Sequence, residues 1–91
     1  MTLKEIQERN YQACLKRGVI GVYTQPYEFE DKLREELKEI EQSFLYDEEE
    51  VLSIDEMEIA DMIIVCLNIA NHYDIDIQKA LEEKTIINEN R

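Results

Sequence analysis

The sequence predicts an all-α protein, an antiparallel four-helix bundle that associates as an oligomer around its third helix. Three observations lead there. Only two glycines and one proline punctuate 91 residues, which favours a few long helices over many short strands. Apolar residues recur at intervals of three and four, the period of a helix face. Between Ile59 and Ala70, ten of twelve residues are apolar, with only Asp61 and Asn68 interrupting. A helix of that kind needs cover from several directions, more than four short helices supply within one chain, so a homodimer or homotetramer is expected. Length predicts a single domain over residues 1–91, and a core this small is commonly extended by association.

The elements follow in order. The first helix opens at "TLKE", where Thr2 caps and Glu5 stands three residues on, the capping-box spacing. It runs to Arg17 and stops at Gly18, suited to the left-handed position after a helix. The stretch "GVIGVYTQPYE" then holds both glycines and the proline and reads as the longest irregular connection. A second helix over 27–44 carries Phe29, Leu33, Leu37, Ile40 and Phe44 at spacings of 4, 4, 3 and 4. "LYDEEEV" reads as an acidic connector in which Glu48, Glu49 and Glu50 are solvated. The third helix is expected to open at Ser53, with Glu56 completing a capping box, and to reach Tyr73, roughly 30 Å at 1.5 Å per residue. After "YDID", Asp74 or Asp76 caps a fourth helix through "IQKALEEKTIINEN".

Charge narrows the function classes. Ten basic residues against 22 acidic give a net charge of −12, the opposite of the basic footprint that nucleic acid demands. A free nucleotide would be repelled too, unless a metal ion stood between phosphate and carboxylate. No apolar run approaches the roughly 18 residues needed to span a bilayer, and "MTLKEIQERN" has no signal-peptide core. No membrane association is expected. Cys14 and Cys66 are too few for a disulfide scaffold, so the expectation is a cytoplasmic protein with reduced thiols, Cys66 being a small core residue.

The acids are the informative residues. At 100° per residue the apolar stripe of the second helix spans about 80°. Glu36 falls about 60° from its centre, Glu39 about 60° farther out, and Glu35 well round towards solvent. On the third helix Glu58, Asp61, Val65, Asn68 and His72 share one narrow stripe at spacings of 3, 4, 3 and 4. Such a stripe ordinarily faces water. Two helices each presenting acids at i and i+3 beside a buried stripe would, if they faced one another, gather four carboxylates that a cation must neutralise. Glu36, Glu39, Glu58 and Asp61, with no histidine or cysteine among them, select a hard ion, Mg²⁺ or Mn²⁺. His72 reads as a surface histidine. On the last helix Ile77, Ala80 and Leu81 form the expected buried face, which Lys84, Asn88 and Arg91 continue at relative angles of about 0°, 40° and 340°. Cations there can reach phosphate oxygens.

Together, "EELKE", 18 residues, "EIAD" and then "DIDIQKALEEKTIINENR" resemble the MazG-type all-α nucleoside triphosphate pyrophosphohydrolases, which show E-E-x-x-E, E-x-x-D and a later K-x-x-x-N-x-x-R. Glu35, Glu36 and Glu39 match the first motif, Glu58 and Asp61 the second, and Lys84, Asn88 and Arg91 the third. The resemblance covers residues 27–91 and, more loosely, the first helix with its "RGVI" exit. The chain departs from the family at Tyr73, where a glycine is frequent.

What the resemblance implies is Mg²⁺-dependent hydrolysis between the α- and β-phosphates of a nucleoside triphosphate, giving monophosphate and pyrophosphate, a reaction that in this family often clears non-standard nucleotides. Glu36, Glu39, Glu58 and Asp61 would hold the metal. Glu36 or Glu39 would orient or deprotonate a water. Lys84 and Arg91 would offset phosphate charge while Asn88 fixes geometry. Tyr11, Tyr23, Tyr27 and Phe29 lie near the loop expected to approach the base, though two or three of them are expected to pack the core or a subunit interface. A related pyrophosphatase of a phosphoribosylated nucleotide fits the same residues. The rival of another class is a non-catalytic helical module whose acidic surface binds a basic partner.

Overall fold

The computed structural model of the chain describes residues 1–47 and 50–91, with side chains described outside 45–53. Among the described residues the fold has four helices: α1 (Leu3–Arg17), α2 (Pro26–Ser43), α3 (Glu56–His72) and α4 (Ile77–Glu89). The chain gathers into two compact units, Met1–Gly21 with Leu67–Arg91, and Val22–Cys66. No helix among the described residues is long and apolar enough to cross a membrane.

In the first unit, α1 begins as its sequence requires. The Glu5 N–H donates to Thr2 Oγ1 at 3.1 Å and the Thr2 N–H donates to Glu5 Oε1 at 3.2 Å, which satisfies two otherwise orphaned donors. The Thr2 N–H, and after it the Thr2 hydroxyl, hold the exposed Glu5 carboxyl below the usual carboxylate range. Gly18 ends the helix at φ 74°, its N–H donating to Leu15 O and that of Val19 to Cys14 O. α1 packs against α4, and polar contacts tie it to the rest of the unit. The Tyr11 hydroxyl and His72 Nδ1 stand 2.8 Å apart, Asn68 Nδ2 donates to Cys14 Sγ at 3.5 Å, and Gln7 Nε2 donates to the Ile75 carbonyl at 3.4 Å. Cys14, Ile20, Leu67 and Ala70 are buried around them.

The α3–α4 turn refines two expectations. Asp76, rather than Asp74, caps α4, its carboxylate accepting from the Lys79 N–H at 3.1 Å. Asp74 instead takes the left-handed position at φ 59°, where Ile75 N–H reaches back to Ala70 O and Asp74 N–H to Asn71 O. The glycine-like position is therefore Asp74, one residue beyond the Tyr73 at which the resemblance leads one to expect glycine. Aspartate is among the few residues that visit this region. The expected buried face of α4 is not buried within the chain: Ile77 is half-buried, Ala80 exposed and Leu81 49% exposed.

In the second unit, α2 starts one residue earlier than expected, with Pro26 at its first position and the Gln25 N–H donating to Glu28. Proline suits that place because its missing N–H would have no helical partner. The acidic connector is not wholly irregular. Strands β1 (Leu45–Asp47) and β2 (Glu50–Ser53) pair antiparallel, Tyr46 opposite Val51 and Asp47 opposite Glu50, with a register shift between Leu45 and Tyr46. Short apolar pairs on both sides of an acidic run favour such a ribbon. Glu48 and Glu49 lie outside the described residues. Because Ser53 belongs to β2, α3 opens later than expected, and Asp55 takes over the cap, accepting from the Met57 N–H at 2.9 Å.

Burial along α3 divides at its middle. Val65, Leu67, Asn68 and Ala70 are buried on widely separated sides, whereas Ile59, Ile63 and Cys66 are exposed. Cys66 is thus not the core residue that its apolar neighbours predict. Replacing Asp74 by glycine should relieve the left-handed backbone and raise stability by about 0.5–1 kcal/mol, while valine there should cost about 1–2 kcal/mol. Urea unfolding of the two variants checks this, and equal midpoints would contradict it.

Candidate metal centre

The site begins with an unexpected rotation of α2. Its apolar stripe would bury Phe29, Leu33, Leu37 and Ile40 about equally. Instead Leu37 is 49% exposed and Glu36 only 4% exposed, beside a buried Phe29. The buried direction is turned by about 50° from the centre of the apolar stripe, towards the acids. Glu36 therefore does more than border the buried face. It is part of it. Glu39 is half-buried and Glu35 exposed, as the helical angles predict.

From α3 come Glu58, half-buried, and Asp61, exposed. One carboxylate oxygen from each of Glu36, Glu39, Glu58 and Asp61 can be chosen so that all four lie within 4.8 Å of one another. The two acid pairs that the sequence singled out are brought together. Two unit charges at about 4 Å repel by roughly 1 kcal/mol in water and roughly 4 kcal/mol near a protein surface, so four ionised carboxylates here are unstable without a proton or a cation. Part of that strain is visible in Glu39. A hydrogen bond shared with Glu36, the charge of Glu36 and then burial and Glu58 hold its carboxyl above the usual carboxylate range.

Sequence reasoning missed a cation on this stripe. Lys32 Nζ lies 3.1 Å from Glu36 Oε1 and 3.7 Å from Glu35 Oε2. The bond to Glu36 holds the ammonium above its usual range, with Glu35 and Glu39 adding to it against the cost of burial. The signal was present, since Lys32 precedes Glu35 by three residues and Glu36 by four, the intervals at which helical neighbours meet.

The donor set fits a hard divalent cation. All four groups offer oxygen, and Mg²⁺ takes oxygens at about 2.1 Å, so ligands on opposite sides of it stand about 4.2 Å apart. The four oxygens, within 4.8 Å of one another, spread slightly wider than that. The more telling observation is that, among the described residues, Glu36 Oε2 and Glu58 Oε2 are buried and meet no hydrogen-bond donor. An acceptor left unsatisfied in this way costs about 1–3 kcal/mol, and more when charged. A cation answers both deficits at once.

Lys84 and Asn88 lie exposed on α4, and Arg91 follows the Asn90 cap beyond the helix end. Arg91 consequently does not continue the helical face that its spacing implied, although its N–H bonds Asn88 O at 3.4 Å. All three belong to the first unit, the acids to the second. Of the aromatic candidates, Phe29 is buried, Tyr11 meets His72, and Tyr23 and Tyr27 are 89% and 62% exposed. His72 is accordingly a bonded, half-buried side chain and not a free surface one. An open hollow of about 460 Å³ in the first unit, walled by Lys4, Gln7, Glu8, Asp76 and Lys79 among others, contains none of the predicted site residues.

Compared with protein-family models, with curated proteins and with solved structures, the chain finds no match.

The raised Glu39 carboxyl fixes the sign of a pH effect. A group that binds its proton more tightly when folded makes stability fall as pH rises from about 4.3, the ordinary glutamate value, through the raised value. In chelator, the protein should melt at a lower temperature at pH 7 than at pH 5, and Glu39→Gln should narrow the gap. An unchanged gap in the variant would remove Glu39 as its source.

Proposed function

We propose that the chain is a divalent-metal-dependent nucleotide pyrophosphohydrolase of the MazG type, cleaving the bond between the α- and β-phosphates of a nucleoside triphosphate. The observation that carries this reading is the convergence of Glu36, Glu39, Glu58 and Asp61 around two buried oxygens that find no donor among the described residues. An acidic surface that merely binds a basic partner has no need to bury Glu36 in this way. The order of the motifs in the sequence supports the same reading.

In it, Glu36, Glu39, Glu58 and Asp61 hold Mg²⁺ or Mn²⁺. When bound, the ion polarises phosphate oxygens and acidifies a water. Glu36 or Glu39, through an oxygen not committed to the ion, takes the proton of the attacking water. Water adds to phosphorus as the α–β bridging bond breaks, and the products are a nucleoside monophosphate and pyrophosphate. Lys84 and Arg91 neutralise charge on the departing phosphates and Asn88 positions them. Clearance of non-standard nucleotides is the role this implies.

The same reading takes the helices as an antiparallel bundle that is completed by a second copy. Ile59 is 38% and Ile63 52% exposed, with Cys66 bare one turn on. These residues share one side of α3, at intervals of four and three. Helices without that cover would leave apolar surface in water at about 25 cal/mol per Å².

Two measurements test the proposal. Each common ribo- and deoxyribonucleoside triphosphate is incubated with the protein and Mg²⁺, and pyrophosphate and orthophosphate are assayed separately. Matching monophosphate and pyrophosphate are expected, and Glu36→Gln, Glu39→Gln, Glu58→Gln and Asp61→Asn should each lower turnover by at least about a hundredfold. Glu30→Gln and Glu41→Gln, exposed on α2, should change it by no more than about twofold. Equal effects in both sets would sink the site. For the assembly, Ile63→Glu should sediment as a monomer of 10.9 kDa where the unaltered chain is larger. A monomeric unaltered chain at micromolar concentration would refute it.

A further inference from the structure

The acid cluster contains its own competitor. Lys32 stands on the same stripe of α2 as the acids, since Glu35, Glu36 and Glu39 follow it by three, four and seven residues. Its ammonium bonds Glu36 at 3.1 Å and Glu35 at 3.7 Å. Glu36 is the most buried of the four acids, and its second oxygen is the one left without a donor. A divalent cation and the Lys32 ammonium are thus drawn to one carboxylate. They also repel each other across it.

We propose that Lys32 is a tethered counter-ion that competes with the divalent cation for Glu36 and so sets the concentration of ion at which the site loads. This rests on the metal reading of the cluster. Without an ion, the ammonium offsets part of the carboxylate charge and lets Glu36 stay buried. With an ion, the ammonium is surplus positive charge beside it, and either leaves Glu36 or stays at a cost. Both routes make the two cations antagonistic, and the antagonism is reciprocal. A site weakened in this way fills poorly from free ion alone. It fills well when phosphates bring the ion and add negative charge of their own, which couples metal loading to the arrival of substrate. The lysine side chain is 47% exposed, so water screens the pair and the effect amounts to several-fold in affinity.

The test is a titration of the unaltered chain and its variants with Mn²⁺ alone, the free ion being read by electron paramagnetic resonance. Lys32→Met should bind Mn²⁺ about fivefold more tightly than the unaltered chain. Lys38→Met removes the same charge from the same helix, about 200° round from Glu36, and should shift affinity by less than about twofold. Equal or weaker binding by Lys32→Met, in a chain that otherwise binds Mn²⁺, overturns the competition and makes Lys32 a brace for Glu36. An unaltered chain that binds no Mn²⁺ overturns the metal reading itself, and this inference with it. Should Lys32→Met fold poorly, the unaltered chain still decides. Acylation of Lys32 should speed up on adding Mn²⁺ while that of Lys38 stays constant, and equal responses of the two lysines overturn the proposal.

Discussion

Everything distinctive in this chain depends on a carboxylate buried where an apolar side chain was available. Glu36 and Leu37 are neighbours on α2, and the helix turns the acid inward and the leucine outward. A helix ruled by its apolar stripe alone would do the reverse. The rotation places Glu36 within reach of Glu39, Glu58 and Asp61, and it places Lys32 at their margin. The arrangement is unfavourable for a chain with nothing bound and suitable for one that holds a cation. Local destabilisation of this kind is what a functional site commonly imposes on a fold.

α3 reconciles two demands along one helix. Its polar stripe offers Glu58 and Asp61 to the acid cluster in the first half, while in the second half Asn68 and His72 on the same stripe bond to Cys14 and Tyr11. In the second half Val65, Leu67 and Ala70 are buried as well, although Cys66 is exposed; in the first half Ile59 and Ile63 are left bare. Among the described residues, the first unit buries the polar Gln7 and Asn68, and the second buries Glu36. Small units of this kind draw on their caps and polar ties to keep their helices in place.

Much of this was legible in the sequence, for physical reasons that can be named. Thr2 with Glu5, Gly18 and Asp76 signal helix ends through short-range geometry, and local geometry survives folding. The four acids were readable because the spacing of three puts each pair on one side of its helix. What escaped depended on packing. The outward Leu37 and the exposed Cys66 reflect which side of a helix finds a neighbour, and periodicity alone does not fix that. Ser53 and Asp55 are both competent caps, and only the pairing of β2 decides between them. The ribbon itself was hidden because runs as short as "LY" and "VL" carry no period. Lys32 was overlooked because it lies outside the acid motifs, though helical neighbourhood would have found it.

The spacing of the α3 acids has an evolutionary corollary. One residue inserted between Glu58 and Asp61 would turn one against the other by about 100° and separate them by about a further 1.5 Å, so both could no longer meet Glu36 and Glu39. Substitutions of the residues between them leave that phase intact. Lineages of this protein are therefore free to vary the composition of this turn but not its length.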